Sequence, residues 1–349
     1  MLRRNAEGMQ RRARDLGVRL RPHVKTHKCV EAARIQTAGG FEGITVSTLA
    51  EARAFAAGGF RDITYAFPFP IDAWDEAVAI ANRVDRLVLL VDQLETIRVL
   101  DERARRDGVR VPVLLEFDCG DRRSGVDPTG DEGLALARRL AESDGLEFEG
   151  ILTHAGHSYA AHDAAEALAV AREERGAATA FAARLRGEGI ETQTVSVGST
   201  PTAVHADHLD GVTEIRPGNY LLFDAFQAAI GSCRPEDVAL TVRASVVGRY
   251  PARDEAIVNA GALALSKDAG ATHVDPECGF GRIAGTDLRV ASISQEHGIV
   301  RGPGAGSLEV GAPVSILPNH ACLAAAQYET FHVIEDGELV AEWRPARGW

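Results

Sequence analysis

The stretch RPHVKTHK, at positions 21–28, contains an arginine, two lysines and two histidines. It overlaps the end of VRLRPHV (18–24), a run whose composition predicts a β-strand. Lys25 has His23 and His27 two positions away on either side. Because neighbouring positive charge disfavours an ammonium ion, it lowers the pKa of a lysine, and Schiff-base chemistry requires the neutral amine. We therefore predict that Lys25 is a nucleophilic amine.

Further polar stretches follow other predicted strands. In a parallel barrel the C-terminal ends of the strands meet at one face, where active sites lie. Two of the stretches combine glycine, which permits close backbone approach, with N–H groups and hydroxyls, and this combination suits a phosphate. The alternative is that all of them are ordinary polar loops. The stretches are DCGDRRSG (118–125), THAGHSY (153–159), GSTPT (198–202) and RPGNY (216–220), the last two being the phosphate candidates.

The stretch PNHAC (318–322) contains a candidate metal pair, His320 and Cys322. On a strand, residues two apart project from the same face. Imidazole with thiolate favours Zn²⁺ over Mg²⁺ or Ca²⁺. Two protein ligands fall short of the three that are usual for catalytic zinc, so water, substrate or another residue would complete the site.

The elements that carry these stretches alternate in type over the first two-thirds of the chain. Short apolar runs are followed by helical patterns such as TLAEARAFAAGG, in which Leu49, Ala52, Phe55 and Ala56 share one face. This alternation predicts an α/β fold with parallel βα units, and their number predicts a closed (β/α)8 barrel. A doubly wound open sheet is the alternative. The predicted strands are 18–24, 43–47, 62–67, 86–92, 111–118, 148–155, 192–198 and 214–216.

After about Phe223 the pattern changes to alternating or β-branched runs separated by glycine, proline and aspartate. No long helical pattern intervenes, so this region is predicted to be an antiparallel β-domain. The resulting prediction is a barrel domain over 1–225 and a β-domain over 226–349.

Composition limits the classes of partner. A net charge of −12 gives no electrostatic reason to expect nucleic acid or an anionic membrane as a partner. No apolar run approaches the roughly 18 residues that a membrane span needs. The cysteine count is five, an odd number, without a CxxC pair, which argues against a disulfide framework and favours a reducing, cytoplasmic setting.

Taken in order along the chain, these stretches closely resemble the D-serine dehydratase and D-threonine aldolase family. Its members are pyridoxal phosphate (PLP) enzymes of the alanine racemase-like fold type III. The match covers nearly the whole chain and is more specific for the family than for one activity within it. The resemblance implies an N-terminal α/β barrel, a C-terminal β-domain and a homodimer. Family members usually begin with a further strand that is absent here, so either the start codon is misassigned or the strand is missing. A missing strand is expected to leave an open edge in the β-domain.

The resemblance also implies roles for individual residues. Lys25 resembles the lysine that forms the Schiff base with PLP, and Arg123 resembles the arginine near the cofactor's phenolic oxygen. Either His154 or Tyr159 would flank the pyridine ring. Arg216 is similar to the racemase arginine that faces the pyridine nitrogen. The residues expected at the phosphate are Gly198, Ser199, Thr200, Gly218, Asn219 and Tyr220, and those expected at the metal are His320 and Cys322.

The resemblance implies a PLP- and zinc-dependent lyase that eliminates water from a D-β-hydroxy amino acid, giving a keto acid and ammonia. Family dehydratases typically have cysteine at the position of Cys322, where the aldolases typically have aspartate and use a harder divalent ion. The alternative is an aldolase that cleaves D-threonine or 3-hydroxy-D-aspartate to glycine and an aldehyde. A more remote alternative is a non-catalytic PLP-binding protein, for which a β-domain with a metal pair would be superfluous.

Overall fold

The computed structural model describes residues 1–348, and the chain divides into two compact units. The barrel unit comprises residues 6–159 and 165–218, with a short C-terminal piece that begins at Ala346. The β-domain unit comprises residues 1–5, 160–164 and 219–345. Each unit has its own sheet and its own buried apolar cluster.

The barrel unit contains an eight-stranded parallel sheet in the order β1-β8-β7-β6-β5-β4-β3-β2. A parallel bridge between His23 and Thr45 joins the segment after β1 to β2, so the sheet curls round until its two ends meet. This confirms the predicted barrel arrangement over an open sheet. The strands are β1 (Arg19–Leu20), β2 (Ile44–Val46), β3 (Asp62–Pro68), β4 (Arg86–Val91), β5 (Val111–Glu116), β6 (Leu146–Leu152), β7 (Thr194–Val197) and β8 (Glu214–Ile215).

Helices connect the strands, as the patterns predicted. In the helix that follows β2, the Thr48 side chain accepts a hydrogen bond from the Glu51 N–H and so caps the first turn. The apolar face predicted for this helix is buried. The helices are α1 (Leu2–Asp15), α2 (Val30–Thr37), α3 (Leu49–Ala57), α4 (Trp74–Ala81), α5 (Leu94–Asp107), α6 (Asp131–Ala141), α7 (Ala164–Gly187) and α8 (Thr200–His205).

The first strand is shorter than predicted. VRLRPHV was expected to be extended through Val24, whereas β1 ends at Leu20 and Val24–Thr26 forms a 3-10 turn. Pro22 has no N–H group and cannot continue a strand ladder as a donor. As a result Lys25 lies in a tight turn rather than directly on a strand.

The β-domain unit is built around a closed antiparallel barrel in the order β10-β13-β12-β11-β14-β9, and β15 and β16 form a separate hairpin. This confirms the predicted β-domain, although the open edge expected from a missing strand is absent from the six-stranded barrel. Val246, Val258, Val290 and Val300 lie in its apolar core. The elements are α9 (Ala225–Ala229), β9 (Val242–Tyr250), β10 (Glu255–Val258), α10 (Ala262–Leu265), β11 (Gly281–Ile283), β12 (Arg289–Ile293), β13 (Gly298–Arg301), β14 (Pro313–Pro318), α11 (Ala321–Ala326), β15 (Phe331–Glu335) and β16 (Glu338–Trp343).

None of the helices within residues 1–348 combines the length and the apolar character that crossing a bilayer would require.

Candidate active site

The turn that carries Lys25 is held by His23. The Lys25 N–H donates to Nδ1 of His23 at 3.4 Å, which makes that ring nitrogen an acceptor. In a neutral imidazole the other nitrogen then carries the hydrogen, and Nε2 of His23 lies 3.3 Å from Oγ of Ser47. His23 therefore fixes both the backbone of the turn and its own orientation.

The charge of Lys25 acts on two histidines, together with the charges of arginines from other loops. Burial, followed by the charge of Lys25, lowers the pKa of both His23 and His154 well below 6.5, so both imidazoles are neutral near pH 7. Arg216 contributes to the lowering at both histidines, and Arg123 contributes at His154. The positive charges that act on these two histidines thus come from distant loops as well as from the opening stretch.

Arg21 and His27, two of the three other bases of the opening stretch, have partners of their own. Arg21 forms ion pairs with Glu214 and Asp62. His27 lies 2.8 Å from the side-chain oxygen of Gln36, and burial lowers the pKa of His27 to about 4. Both side chains therefore stabilise the surrounding structure.

His154 and Tyr159 both follow β6. Nδ1 of His154 lies 3.2 Å from the carbonyl oxygen of Gly198 and donates to it, which links the loop after β6 to the loop after β7. Tyr159 lies in the 3-10 turn Gly156–Ala160. Burial, followed by the charge of Lys25, lowers the pKa of His154.

The loop DCGDRRSG is shaped by its own aspartates. Oδ1 of Asp118 accepts hydrogen bonds from the N–H groups of Gly120 and Arg122, at 2.8 and 3.0 Å. Asp121 lies 3.8 Å from Arg123, whose side chain is half exposed. These carboxylates therefore orient the loop.

In GSTPT, the groups predicted to hold phosphate also hold the turn itself. Gly198 has φ +116°, and a Cβ there would lie 3.0 Å from the backbone nitrogen of Arg216, so the position requires glycine. Ser199 caps α8: its hydroxyl accepts from the Thr202 N–H, and its N–H donates to the Thr202 hydroxyl. The Ser199 hydroxyl is also 2.7 Å from that of Ser158. Ser199 therefore contributes to the shape of the turn.

In RPGNY, Gly218 packs closely on the Lys25 turn, since a Cβ there would lie 3.0 Å from the carbonyl oxygen of His23. The side-chain nitrogen of Asn219 donates one hydrogen to Asp224 at 2.6 Å, and this bond orients the amide. The second amide hydrogen and the backbone N–H are the donors that Asn219 can offer to a phosphate. Tyr220 is fully buried.

Arg216 is buried at the ends of two strands. Its guanidinium donates to the Ser196 hydroxyl and to the Thr153 carbonyl oxygen, both at 2.5 Å. Burial lowers the pKa of Arg216 to about 10, although the carboxylates of Glu214, Glu174 and Glu116 raise it. The sequence analysis did not identify Glu116 or Glu174. Glu116 could have been identified from its position at the end of a strand, whereas no such signal marks Glu174.

The proposed metal pair lies at a junction, not on a strand as predicted. β14 ends at Pro318, His320 is the N-cap of α11, and Cys322 is in the first turn of that helix. Nδ1 of His320 lies 2.8 Å from Asp268. Burial alone would lower the pKa of His320, but Asp268 and Cys322 raise it to about 10. The imidazole and thiol therefore interact despite the change of secondary structure.

The donor set at this junction fits a divalent metal. Asp268, which sequence reasoning missed, orients the imidazole in the way that carboxylates commonly orient metal-binding histidines. Asp224 accepts the Ala321 N–H at 2.8 Å and holds the turn between the two ligands. Over residues 1–348 no group of three or more histidine, cysteine, aspartate or glutamate side chains is arranged to hold a metal, so a bound ion would need non-protein ligands as well.

The barrel unit fits PLP. Its donor set combines a primary amine at Lys25 with the guanidinium of Arg123 and glycine backbone at Gly198 and Gly218. Within the described part of the chain, Oε2 of Glu116 is buried without a hydrogen-bond partner, and the charges of Arg123 and Arg216 act on that carboxyl. A buried polar atom left unpaired in this way indicates space for a polar ligand.

Comparison with known proteins gives consistent matches. Residues 1–225 match the alanine racemase N-terminal domain, and residues 239–334 match a serine dehydratase domain. The chain is 40% identical to D-threo-3-hydroxyaspartate dehydratase of Delftia sp. and 34% identical to D-serine dehydratase of Dictyostelium discoideum, in each case over 100% of this chain and 95% of the relative.

Solved structures agree with these sequence matches. The structure of the Delftia dehydratase has a TM-score of 0.95 at 38% identity and covers 100% of this chain and 95% of that one. A cysteine-to-alanine variant of the same enzyme is described as a metal-free form. The D-threonine aldolase of Filomicrobium marinum has a TM-score of 0.89 at 27% identity, over 99% of this chain and 92% of that one.

Proposed function

Because the chain belongs to the alanine racemase-like family of PLP-dependent lyases, we propose that it is a dehydratase that eliminates water from a D-β-hydroxy amino acid. The observation that carries this proposal is the setting of Lys25. It combines a turn fixed by His23 with two neutral histidines, His23 and His154, on which the charges of Lys25 and Arg216 both act. This arrangement suits an amine that reacts with an anionic aldehyde cofactor.

Each predicted cofactor residue has a proposed role. Lys25 would bind the cofactor aldehyde, His154 or Tyr159 would flank the ring, and Arg123 would face its phenolic oxygen. Burial and then the charges of Lys25 and Arg123 lower the pKa of His154, which supports placing these three residues at one site. The phosphate would be held by backbone and hydroxyl groups of Gly198, Ser199, Thr200, Gly218, Asn219 and Tyr220.

PLP, when bound, supplies an electron-accepting ring that acidifies the substrate Cα–H. Nζ of Lys25 takes that proton, and because a single base acts from one face, one enantiomer is selected. His23 holds the lysine turn throughout, since its Nδ1 accepts the Lys25 N–H. Burial, followed by the charge of Lys25, lowers the pKa of His23 and His154, so neither imidazole carries a positive charge near pH 7.

A metal ion bound by His320 and Cys322 would supply Lewis acidity toward the substrate hydroxyl, which is otherwise a poor leaving group. Thiolate with imidazole favours zinc. The similarity to two dehydratases over the whole chain supports elimination as the reaction. Aldol cleavage is the second candidate, supported by the likeness to the D-threonine aldolase structure.

The test is product analysis. Protein loaded with PLP and zinc is incubated with D-serine, D-threonine and 3-hydroxy-D-aspartate, with the L-isomers as controls. A keto acid with equimolar ammonia supports the dehydratase. Glycine with an aldehyde would establish the aldolase instead, and PLP binding without any product would favour a non-catalytic role.

We also propose that the protein is a homodimer that works in the cytoplasm. The hairpin of β15 and β16 exposes Ile334, Leu339 and Val340, each more than half accessible, which is typical of a surface that another chain covers. Light scattering should give twice the chain mass for the wild type and a lower mass for Leu339→Asp. An unchanged mass in Leu339→Asp would exclude this hairpin as the contact.

A further inference from the structure

Glu174 is a buried acid in the middle of α7, and it contacts the loops after two neighbouring strands. Its Oε1 accepts a hydrogen bond from the Ala155 N–H at 3.1 Å and another from the Gly198 N–H at 2.9 Å. Ala155 follows β6, and Gly198 follows β7. One carboxylate oxygen thus holds together the two loops that contain His154 and the GSTPT turn.

The hydrogen bonds of Glu174 extend into the GSTPT turn. Burial raises the pKa of the Glu174 carboxyl, and the Thr202 hydroxyl acts to lower it. That hydroxyl oxygen accepts the Ser199 N–H at 3.0 Å. Through Gly198, Glu174 therefore fixes the start of the turn, directly before the Ser199–Thr202 capping box.

Arg216 makes the complementary contacts. Its guanidinium donates to the carbonyl oxygens of Thr153 and Val197. Glu174 binds the N–H groups of Ala155, two residues after Thr153, and of Gly198, the residue after Val197. Arg216 and Glu174 also interact electrostatically. Glu174 therefore pairs buried N–H groups of both loops, and Arg216 pairs buried C=O groups of the same loops. The positive charge of Arg216 offsets the negative charge of Glu174.

We propose that Glu174 is a positioning residue that shapes the GSTPT turn for the phosphate of the cofactor. This inference rests on the proposed function, which places the phosphate at that turn. Glu174 contributes to cofactor affinity by accepting the Ala155 and Gly198 N–H groups, without touching the cofactor itself. The effect of Glu174 on affinity is therefore expected only for a cofactor that carries the phosphate group.

The test compares PLP with pyridoxal, which lacks the phosphate. Apo forms of the wild type, Glu174→Leu, Glu174→Gln and the exposed-site control Glu173→Leu are titrated with each compound, and Schiff-base absorbance is followed. Since unpaired buried N–H groups are left behind, Glu174→Leu should weaken PLP binding by about 10- to 100-fold, and pyridoxal binding by less than about 3-fold. Glu174→Gln keeps the acceptor oxygen and should stay within about 3-fold for both compounds.

Several outcomes would overturn the inference. Equal weakening of PLP and pyridoxal in Glu174→Leu would show a general structural role, and unchanged PLP binding would show no role. A loss in Glu174→Gln as large as in Glu174→Leu would show that charge matters rather than hydrogen bonding. If the wild type binds neither compound, the proposed function fails, and that result is distinct from a failure confined to Glu174.

Thr202→Val provides a second measurement if Glu174→Leu does not fold, as judged by thermal unfolding. It removes the hydroxyl that accepts the Ser199 N–H in the GSTPT turn and leaves the buried carboxylate of Glu174 in place. Thr202→Val should weaken PLP binding relative to pyridoxal by about 10-fold, and Thr202→Ser should restore it. A Thr202→Val protein that binds PLP with wild-type affinity would contradict the proposed dependence of phosphate binding on the shape of this turn.

Discussion

Replacing Arg21 with methionine should destabilise the barrel unit by about 3–5 kcal/mol, the usual cost of removing one partner from a buried ion pair. Arg21 is 1% exposed. It donates to Glu214 at 3.0 Å and to Asp62 at 2.7 Å. Without it, the buried Glu214 keeps the Ser196 hydroxyl at 2.7 Å and the more distant charge of Arg19 at 3.7 Å.

The measurement is urea unfolding followed by Trp74 fluorescence, in a background where Trp343 and Trp349 are phenylalanine. Trp74 is fully buried in the barrel unit, so its signal reports that unit. The double variant Arg21→Met/Glu214→Leu removes both charges and should recover at least about 2 kcal/mol of the loss. A loss below about 1 kcal/mol in Arg21→Met, or strictly additive losses in the double variant, would refute the reasoning.

The same pair predicts a pH dependence. Burial alone would raise the pKa of Glu214, but Arg21 and the Ser196 hydroxyl lower it below its ordinary 4.5. A carboxyl whose pKa is lowered by folding contributes stability above the unfolded value, and this stability is lost as the pH falls through the folded value. The difference in free energy of unfolding between wild type and Glu214→Gln should therefore shrink below pH 4.5. A constant difference down to complete acid unfolding would contradict this.

Three further predictions concern the proposed site. Lys25→Ala should abolish turnover and the Schiff-base absorbance that PLP produces, and absorbance that persists would identify a different lysine. Cys322→Ala should keep that absorbance but lose zinc and keto acid formation, and chelation of the wild type should have the same effect. The control variant Cys233→Ala should keep both zinc and keto acid formation. Elimination of water by metal-stripped Cys322→Ala would exclude the metal step. Because burial and Lys25 lower the pKa of His154, its ring should be neutral at pH 6 by ¹⁵N NMR, and a titration near 6.5 would show that the ring is exposed.

The barrel could be predicted because each apolar run of the first two-thirds of the chain forms one buried strand. Val88 and Leu90, for example, belong to a run that is buried from end to end, as parallel strands covered on both faces are. The first strand was predicted to be too long because the composition of VRLRPHV favours a strand, whereas Pro22 interrupts it. His320 and Cys322 were assigned to a strand for a similar reason, since nothing in PNHAC marks the helix that begins at Ala321.

The site was less predictable because its contacts join residues that are distant in the chain. Lys25 could be identified from its own stretch, but the groups that act on its surroundings include Arg123, His154 and Arg216, more than 90 positions away. Glu174 lies within the helical stretch AREERGAA, where a glutamate ordinarily faces solvent. Asp268 is 52 positions from His320. A single sequence gives no sign of such pairings before the fold is known.

The positive charge near Lys25 is smaller than the opening stretch suggests. Arg21 is neutralised by Glu214 and Asp62, and Lys28 pairs with Glu51 at 2.9 Å. His23 is uncharged. A concentration of bases in an acidic chain therefore need not form a cationic patch, since here most of its members are paired or deprotonated by burial. Recognition of a phosphorylated cofactor would then depend mainly on the shape of the turns that present backbone N–H groups, which is the property that Glu174 and Arg216 maintain.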